Sequence, residues 1–166
     1  SDVANAILDG TDGSMLSEES ALGDFAVEAV EMMTKVSATI EGSLRREKLV
    51  PDQIPNSIAQ SVYHIAHDVN AKVIVALTET GATAQRVARF KPDCPIIAIT
   101  AHDDVVEKLA LVRGVYPYKT DALHTFADVT TSIPAFLVER GIVQHGDTVA
   151  IAAGLNFGAP GSTNML

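Results

Sequence analysis

Two unbroken apolar runs, Val73-Ile74-Val75-Ala76-Leu77 and Ile96-Ile97-Ala98-Ile99, constrain this chain more than any other feature. Each is bounded by polar residues, and such a run suits a strand covered on both faces rather than one with a wet side. The segments around them have helical spacing. Asn56 is placed to cap a helix whose Ile58, Val62, Ile65, Ala66 and Val69 share a face, and residues 82–90 read as a helix stopped by Pro92. Asp103 is placed to cap residues 105–111, and residues 125–140 read as a helix that Pro134 kinks or splits and Gly141 ends. Residues 115–117 and 148–153 supply two further strands. From about Pro55 onward the chain therefore reads as an α/β domain. The expected fold is a three-layer, mostly parallel sheet of about five strands with helices on both faces.

The residues before Pro55 do not belong to that sheet by pattern. Residues 3–8 look like the tail of a helix, broken by Asp9-Gly10-Thr11-Asp12-Gly13, and residues 14–17 suit one short buried strand. Asp24 is placed to cap a long helix with the stripe Val27, Val30, Met33, Val36 (or Ser37), Ile40 and Leu44. Pro51-Asp52-Gln53-Ile54-Pro55 is the credible linker, dividing the chain into 1–50 and 51–166. The opening Ser1, with no Met, reads as a cut made within a helix.

With 12 Lys+Arg against 21 Asp+Glu, the net charge of −9 and pI of 4.8 speak against nucleic acid and against an anionic membrane surface as partners. No apolar run approaches the roughly 20 residues of a spanning helix, and Ser1-Asp2-Val3 does not begin a signal peptide. A single cysteine, Cys94, fits a reducing cytosol, and with no cationic cluster nearby it reads as structural.

In an open parallel sheet ligands sit at the carboxyl ends of strands. The first such turn is Thr78-Glu79-Thr80-Gly81-Ala82-Thr83-Ala84. Hydroxyls, free N–H groups and a helix dipole make an anion site there, although the turn holds no lysine or arginine; the alternative is N-capping by Thr80 or Thr83. A second candidate follows the last strand, where Gly158 and Gly161 permit close backbone approach to a ligand; the competing reading is a plain long turn. His64, His67 and Asp68 have metal-ligand spacing without a third and fourth ligand in view, so no metal site is expected. His102, His124 and His145 look isolated, and Asp103 and Asp104 look like a helix cap.

The run Asp2-Val3-Ala4-Asn5-Ala6-Ile7-Leu8-Asp9-Gly10-Thr11-Asp12, followed by Met15-Leu16-Ser17, closely resembles the pyruvate kinase family where it enters the last strand of its catalytic barrel. The family continues Leu-Ser-Gly-Glu-Thr-Ala, and this chain has Leu16-Ser17-Glu18-Glu19-Ser20-Ala21. Leu77-Thr78-Glu79-Thr80-Gly81, Val87-Ala88-Arg89-Phe90, Pro95-Ile96-Ile97-Ala98-Ile99-Thr100, Arg113-Gly114-Val115-Tyr116-Pro117, Gly146-Asp147, Ala153-Gly154 and Thr163-Asn164 match further family positions in order.

The resemblance implies a carboxyl-terminal piece of a pyruvate kinase: a strand-helix remnant of the (β/α)8 barrel, then the regulatory domain. The parent enzyme would move phosphate from phosphoenolpyruvate to ADP with Mg²⁺ and commonly K⁺. The family's metal-holding and cationic groups lie on earlier barrel strands absent here, so the piece is expected to be inert and to need no cofactor. Ser17 alone matches an active-site-proximal position, in a supporting role. The resemblance further implies a cytoplasmic homotetramer. Its sugar-phosphate or nucleotide-monophosphate effector would lie on Thr78, Thr80, Gly81, Ala82 and Thr83, together with Gly158 and Gly161. Asn156, Phe157 and Pro160 supply no cation for a second phosphate, so a monophosphate, or no effector, is expected. A second reading is a free-standing phosphate-binding or oligomerisation module. Without barrel partners, residues 1–23 are expected to be mobile or packed on another copy.

Overall fold

The computed structural model describes residues 2–42, 53–120, 126–154 and 163–166. The chain divides into two units, residues 1–47 and 48–166.

The described part of the first unit holds three helices. Helix α1 (Asp2–Leu8) closes with the Gly10 N–H on the Ile7 carbonyl and the Thr11 N–H on the Ala6 carbonyl, the paired bonds of a left-handed glycine terminus. The strand expected at residues 14–17 does not form. A strand needs a neighbour to take its backbone groups, and the described residues of this unit offer only helices. Met15 instead lies 88% exposed, and α2 (Glu18–Ala21) follows at once. Helix α3 (Ala26–Glu41) has Phe25, not Asp24, at its N-cap and no side-chain cap. None of its sixteen residues is buried. Val27, Val30 and Met32 are exposed, while Met33, Val36 and Ile40 are half-covered.

The second unit is the expected three-layer domain. Its elements are α4 (Ile54–Asp68), β1 (Val73–Leu77), α5 (Ala82–Ala88), β2 (Ile96–Thr100), α6 (Asp103–Leu109), β3 (Val115–Lys119), α7 (Phe126–Glu139), β4 (Val149–Gly154) and β5 (Thr163–Met165). The sheet order is β3-β2-β1-β4-β5, parallel throughout except that β5 runs antiparallel to β4. The central register pairs Ile74 with Ile96 on one side and with Ala150 on the other.

The unbroken runs follow from burial on both faces. Ile74, Ala76, Ile96 and Ala98 enter a core with Val62 and Tyr63 of α4, Ala84 and Val87 of α5 and Leu109 of α6. Val73, Val75, Leu77, Ile97 and Ile99 enter the opposite core with Val129, Ile133 and Leu137 of α7. Pro117 sits in β3, an edge strand, where a missing N–H is tolerated.

Several helix starts differ from expectation. Helix α4 begins at Ile54, with Gln53 as N-cap and Pro55 in its first turn, two residues ahead of Asn56. Proline suits that turn because its missing N–H would have no helical partner. Helix α6 has His102 as N-cap, so Asp103 is its first residue rather than its cap. Helix α7 runs through Pro134 as one element, its ladder lacking that rung. Gly141 (φ 67°) ends it as expected, with its own N–H on the Val138 carbonyl and the Ile142 N–H on that of Leu137.

Candidate functional site

Strand order creates the candidate site. From β1 the chain crosses to β2 and then β3 on one side, whereas β4 lies on the other side of β1. The order therefore reverses between β1 and β4, and such a reversal is where open parallel sheets place ligands, outside the carboxyl ends of their strands. The turn leaving β1 carries residues 78–83, and β4 ends beside it at Gly154.

The turn is held by both core and backbone. Thr78 and Thr83 are buried, and the Thr78 N–H donates to the Ile99 carbonyl at 3.0 Å. Gly81 is buried, adopts φ 85° and is the N-cap of α5, so neither Thr80 nor Thr83 caps this helix. A side chain at Gly81 would meet Leu109 of α6: an added Cβ would stand 3.2 Å from its Cδ2 and 3.3 Å from its Cγ. The N–H groups of the first turn of α5 have no partner within the helix and receive no side-chain cap from Gly81. Thr80 is exposed, and Ala82 is half-buried.

Two side-chain pairs among the described residues line the same edge, and reading by local pattern missed both. His102 Nε2 lies 2.9 Å from Glu79 Oε2, joining the turns after β1 and β2. Lys119, closing β3, donates from Nζ to Asp103 Oδ2 at 2.7 Å. Thr100 is buried, its hydroxyl takes the His102 N–H at 3.3 Å, and its carbonyl takes the Thr120 N–H at 2.9 Å. His102 is therefore not isolated, and Asp103 serves an ion pair. The usable signal was position alone, since Glu79, His102, Asp103 and Lys119 all fall at or just beyond a strand's carboxyl end.

Gly158 and Gly161, with Asn156, Phe157, Pro160 and His124, fall outside the described residues. Ser17 is exposed at the start of α2, with no side-chain cap bond. Its N–H donates to Glu19 Oε2 at 3.1 Å. Backbone N–H donors, that of Glu19 itself first and then that of Ser17, hold the Glu19 carboxyl below its ordinary range. His64 and His67 are both exposed; the His64 ring lies 5.0 Å from that of Tyr63, and His67 Nδ1 lies 3.3 Å from Asp68 Oδ1. No group of three or more His, Cys, Asp or Glu side chains able to hold a metal occurs among the described residues. Cys94 packs against the α4–α6 core, and burial raises its thiol pKa. Among the described residues no helix is long and apolar enough to cross a membrane.

Residues 56–166 match the family model of the pyruvate kinase alpha/beta domain. The chain belongs to the pyruvate kinase family. It is 42% identical to pyruvate kinase 2 of Synechocystis and 40% identical to the pyruvate kinase of Geobacillus stearothermophilus. Both alignments cover 100% of this chain but only 29% and 30% of those proteins. The chain thus spans about 30% of the length of these pyruvate kinases and corresponds to their carboxyl-terminal portion. A crystal structure of a pyruvate kinase from Cryptosporidium parvum superimposes with a TM-score of 0.75 at 37% identity, covering 92% of this chain and 33% of that one. These matches include the first unit, which a free-standing module would not need, so the module reading is not favoured.

Proposed function

We propose that this chain is the regulatory and assembly portion of a cytoplasmic pyruvate kinase, which moves phosphate from phosphoenolpyruvate to ADP, and that residues 78–83 receive an effector with one phosphate group. The reversal of strand order between β1 and β4, with this turn at its mouth, is the observation that carries the effector reading. The backbone N–H groups of the first turn of α5 and the Thr80 hydroxyl would take the phosphate oxygens. Lys119 is engaged by Asp103, and Glu79 adds negative charge, so the described edge favours one phosphate over two.

Mg²⁺ and K⁺ belong to the proposal for the whole enzyme. The described residues offer no donor cluster for a metal, and no step through a metal is assigned to them. Ser17 would support the substrate pocket only in that larger context.

Assembly is supported by α4. Its inner face is buried through Ala59, Val62, Tyr63 and Ala66, yet Ile54, Ile65 and Val69 on and just beyond the helix remain 70%, 42% and 47% exposed. Asp68 is the only Asp, Glu, Lys or Arg in this fifteen-residue helix. Such depletion of charge marks the centre of an interface, here with a second copy in the proposed tetramer.

The test is calorimetric titration with AMP, ribose 5-phosphate, glucose 6-phosphate and fructose 1,6-bisphosphate, repeated with Thr80→Ala and Thr83→Ala. Monophosphate binding lost in both variants supports the reading. Binding unchanged by both, or saturable micromolar binding of the bisphosphate, refutes it.

A further inference from the structure

We infer that His102 is a positioning residue for the turn at residues 78–83: it holds and offsets the Glu79 carboxylate, and thereby sets how strongly the turn takes up a doubly charged anion. This rests on the phosphate reading proposed above.

Glu79 stands between Thr78 and Thr80, inside the turn, where a bare carboxylate repels an arriving phosphate. Its Oε2 is met by His102 Nε2 at 2.9 Å, from a residue 23 positions away on the next strand's exit. The main chain that carries the imidazole is anchored: the backbone N–H of His102 donates to Thr100 Oγ1 at 3.3 Å, and Thr100 is 4% exposed at the end of a strand buried along its whole length. The two side chains are 49% and 34% exposed, so the pair stands where solvent and a solute anion reach it. A side-chain pair at that exposure adds little to stability, so its main effect falls on the local field. Asp103 is already matched by Lys119 at 2.7 Å, which leaves Glu79 as the carboxylate of this turn that His102 governs. A neutral imidazole can donate one hydrogen bond to Oε2, and a protonated one adds a positive charge.

The test is backbone amide NMR of the whole chain titrated with sodium sulfate, whose charge does not change around neutral pH. The proteins compared are the parent chain, Glu79→Gln, His102→Ala, the double variant and His102→Gln. Sulfate is expected to shift the amide signals of residues 81–83. Glu79→Gln should tighten binding roughly three- to tenfold, and His102→Ala should weaken it by a similar factor. In the Glu79→Gln background the His102→Ala effect should vanish, and His102→Gln, which keeps an N–H donor, should recover part of the loss. A merely structural histidine would weaken binding in both backgrounds, and that result overturns the inference. So does equal affinity for the parent and Glu79→Gln, with the phosphate reading left standing. Amides 81–83 that sulfate moves in no variant overturn both.

Discussion

Replacing Gly81 by alanine tests whether the candidate turn is held by packing as well as by backbone conformation. At φ 85° an L-residue loses about 1–2 kcal/mol relative to glycine. The new Cβ would stand 3.2 Å and 3.3 Å from Leu109 Cδ2 and Cγ and 3.5 Å from Val105 Cγ1. Leu109 is fully buried, so giving way by a few tenths of an ångström disturbs the core and costs about 1 kcal/mol more. Restricting the unfolded chain returns about 0.4–1 kcal/mol. The net loss is about 2 kcal/mol, which for a domain of this size lowers the melting temperature by roughly 6–12 °C. Gly114 supplies the control. It also has a positive φ, 75°, but nothing lies within 4 Å of its added Cβ. Gly114→Ala should therefore cost only about 0.5–1 kcal/mol by scanning calorimetry. In a Leu109→Ala background, the penalty at Gly81 should fall to that level. If Gly81→Ala is no more damaging than Gly114→Ala in the native background, the packing argument is wrong.

Leu137→Ala, in the core between the sheet and α7, should cost about 2–5 kcal/mol in urea denaturation, with an unchanged slope if the fold is kept. Cys94 should react with iodoacetamide more slowly in the native chain than in the denatured one at mildly alkaline pH, because burial raises its pKa. The sign follows: this thiol's contribution to stability is complete below its ordinary value of about 9 and is lost as the pH rises through the higher native value. A Cys94→Ala variant should lack that part of the alkaline decline.

The elements legible in the sequence are those whose pattern records burial. Val73–Leu77 and Ile96–Thr100 have no polar residue before Thr100 because both their faces are covered, and that requirement acts on every position. Caps were less legible. Asp24, Asn56 and Asp103 are all residue types that cap helices, yet Phe25, Gln53 and His102 hold those positions, because the chain's direction into each helix is set by what the helix packs on. Residues 14–17 have strand composition, but a strand exists only where another strand accepts its hydrogen bonds. In the site, Thr78 and Gly81 could be placed from the strand-to-helix transition alone. His102 and Lys119 could not, because their partners are chosen by strand order, and 23 and 16 residues separate each pair.

The position of β4 beside β1 has a kinetic consequence. Val73 pairs with Val149, a residue roughly 75 positions later, while the pairings of β1 with β2 and of β2 with β3 need only short crossovers. On a ribosome adding about 5–20 residues per second, β1 emerges roughly 4–15 s before its second neighbour exists. During that interval the most apolar strand of the domain has one edge satisfied by β2 and the other open. The domain is thus most prone to wrong pairing between the emergence of β2 and that of β4, and the arrival of β4 closes that window.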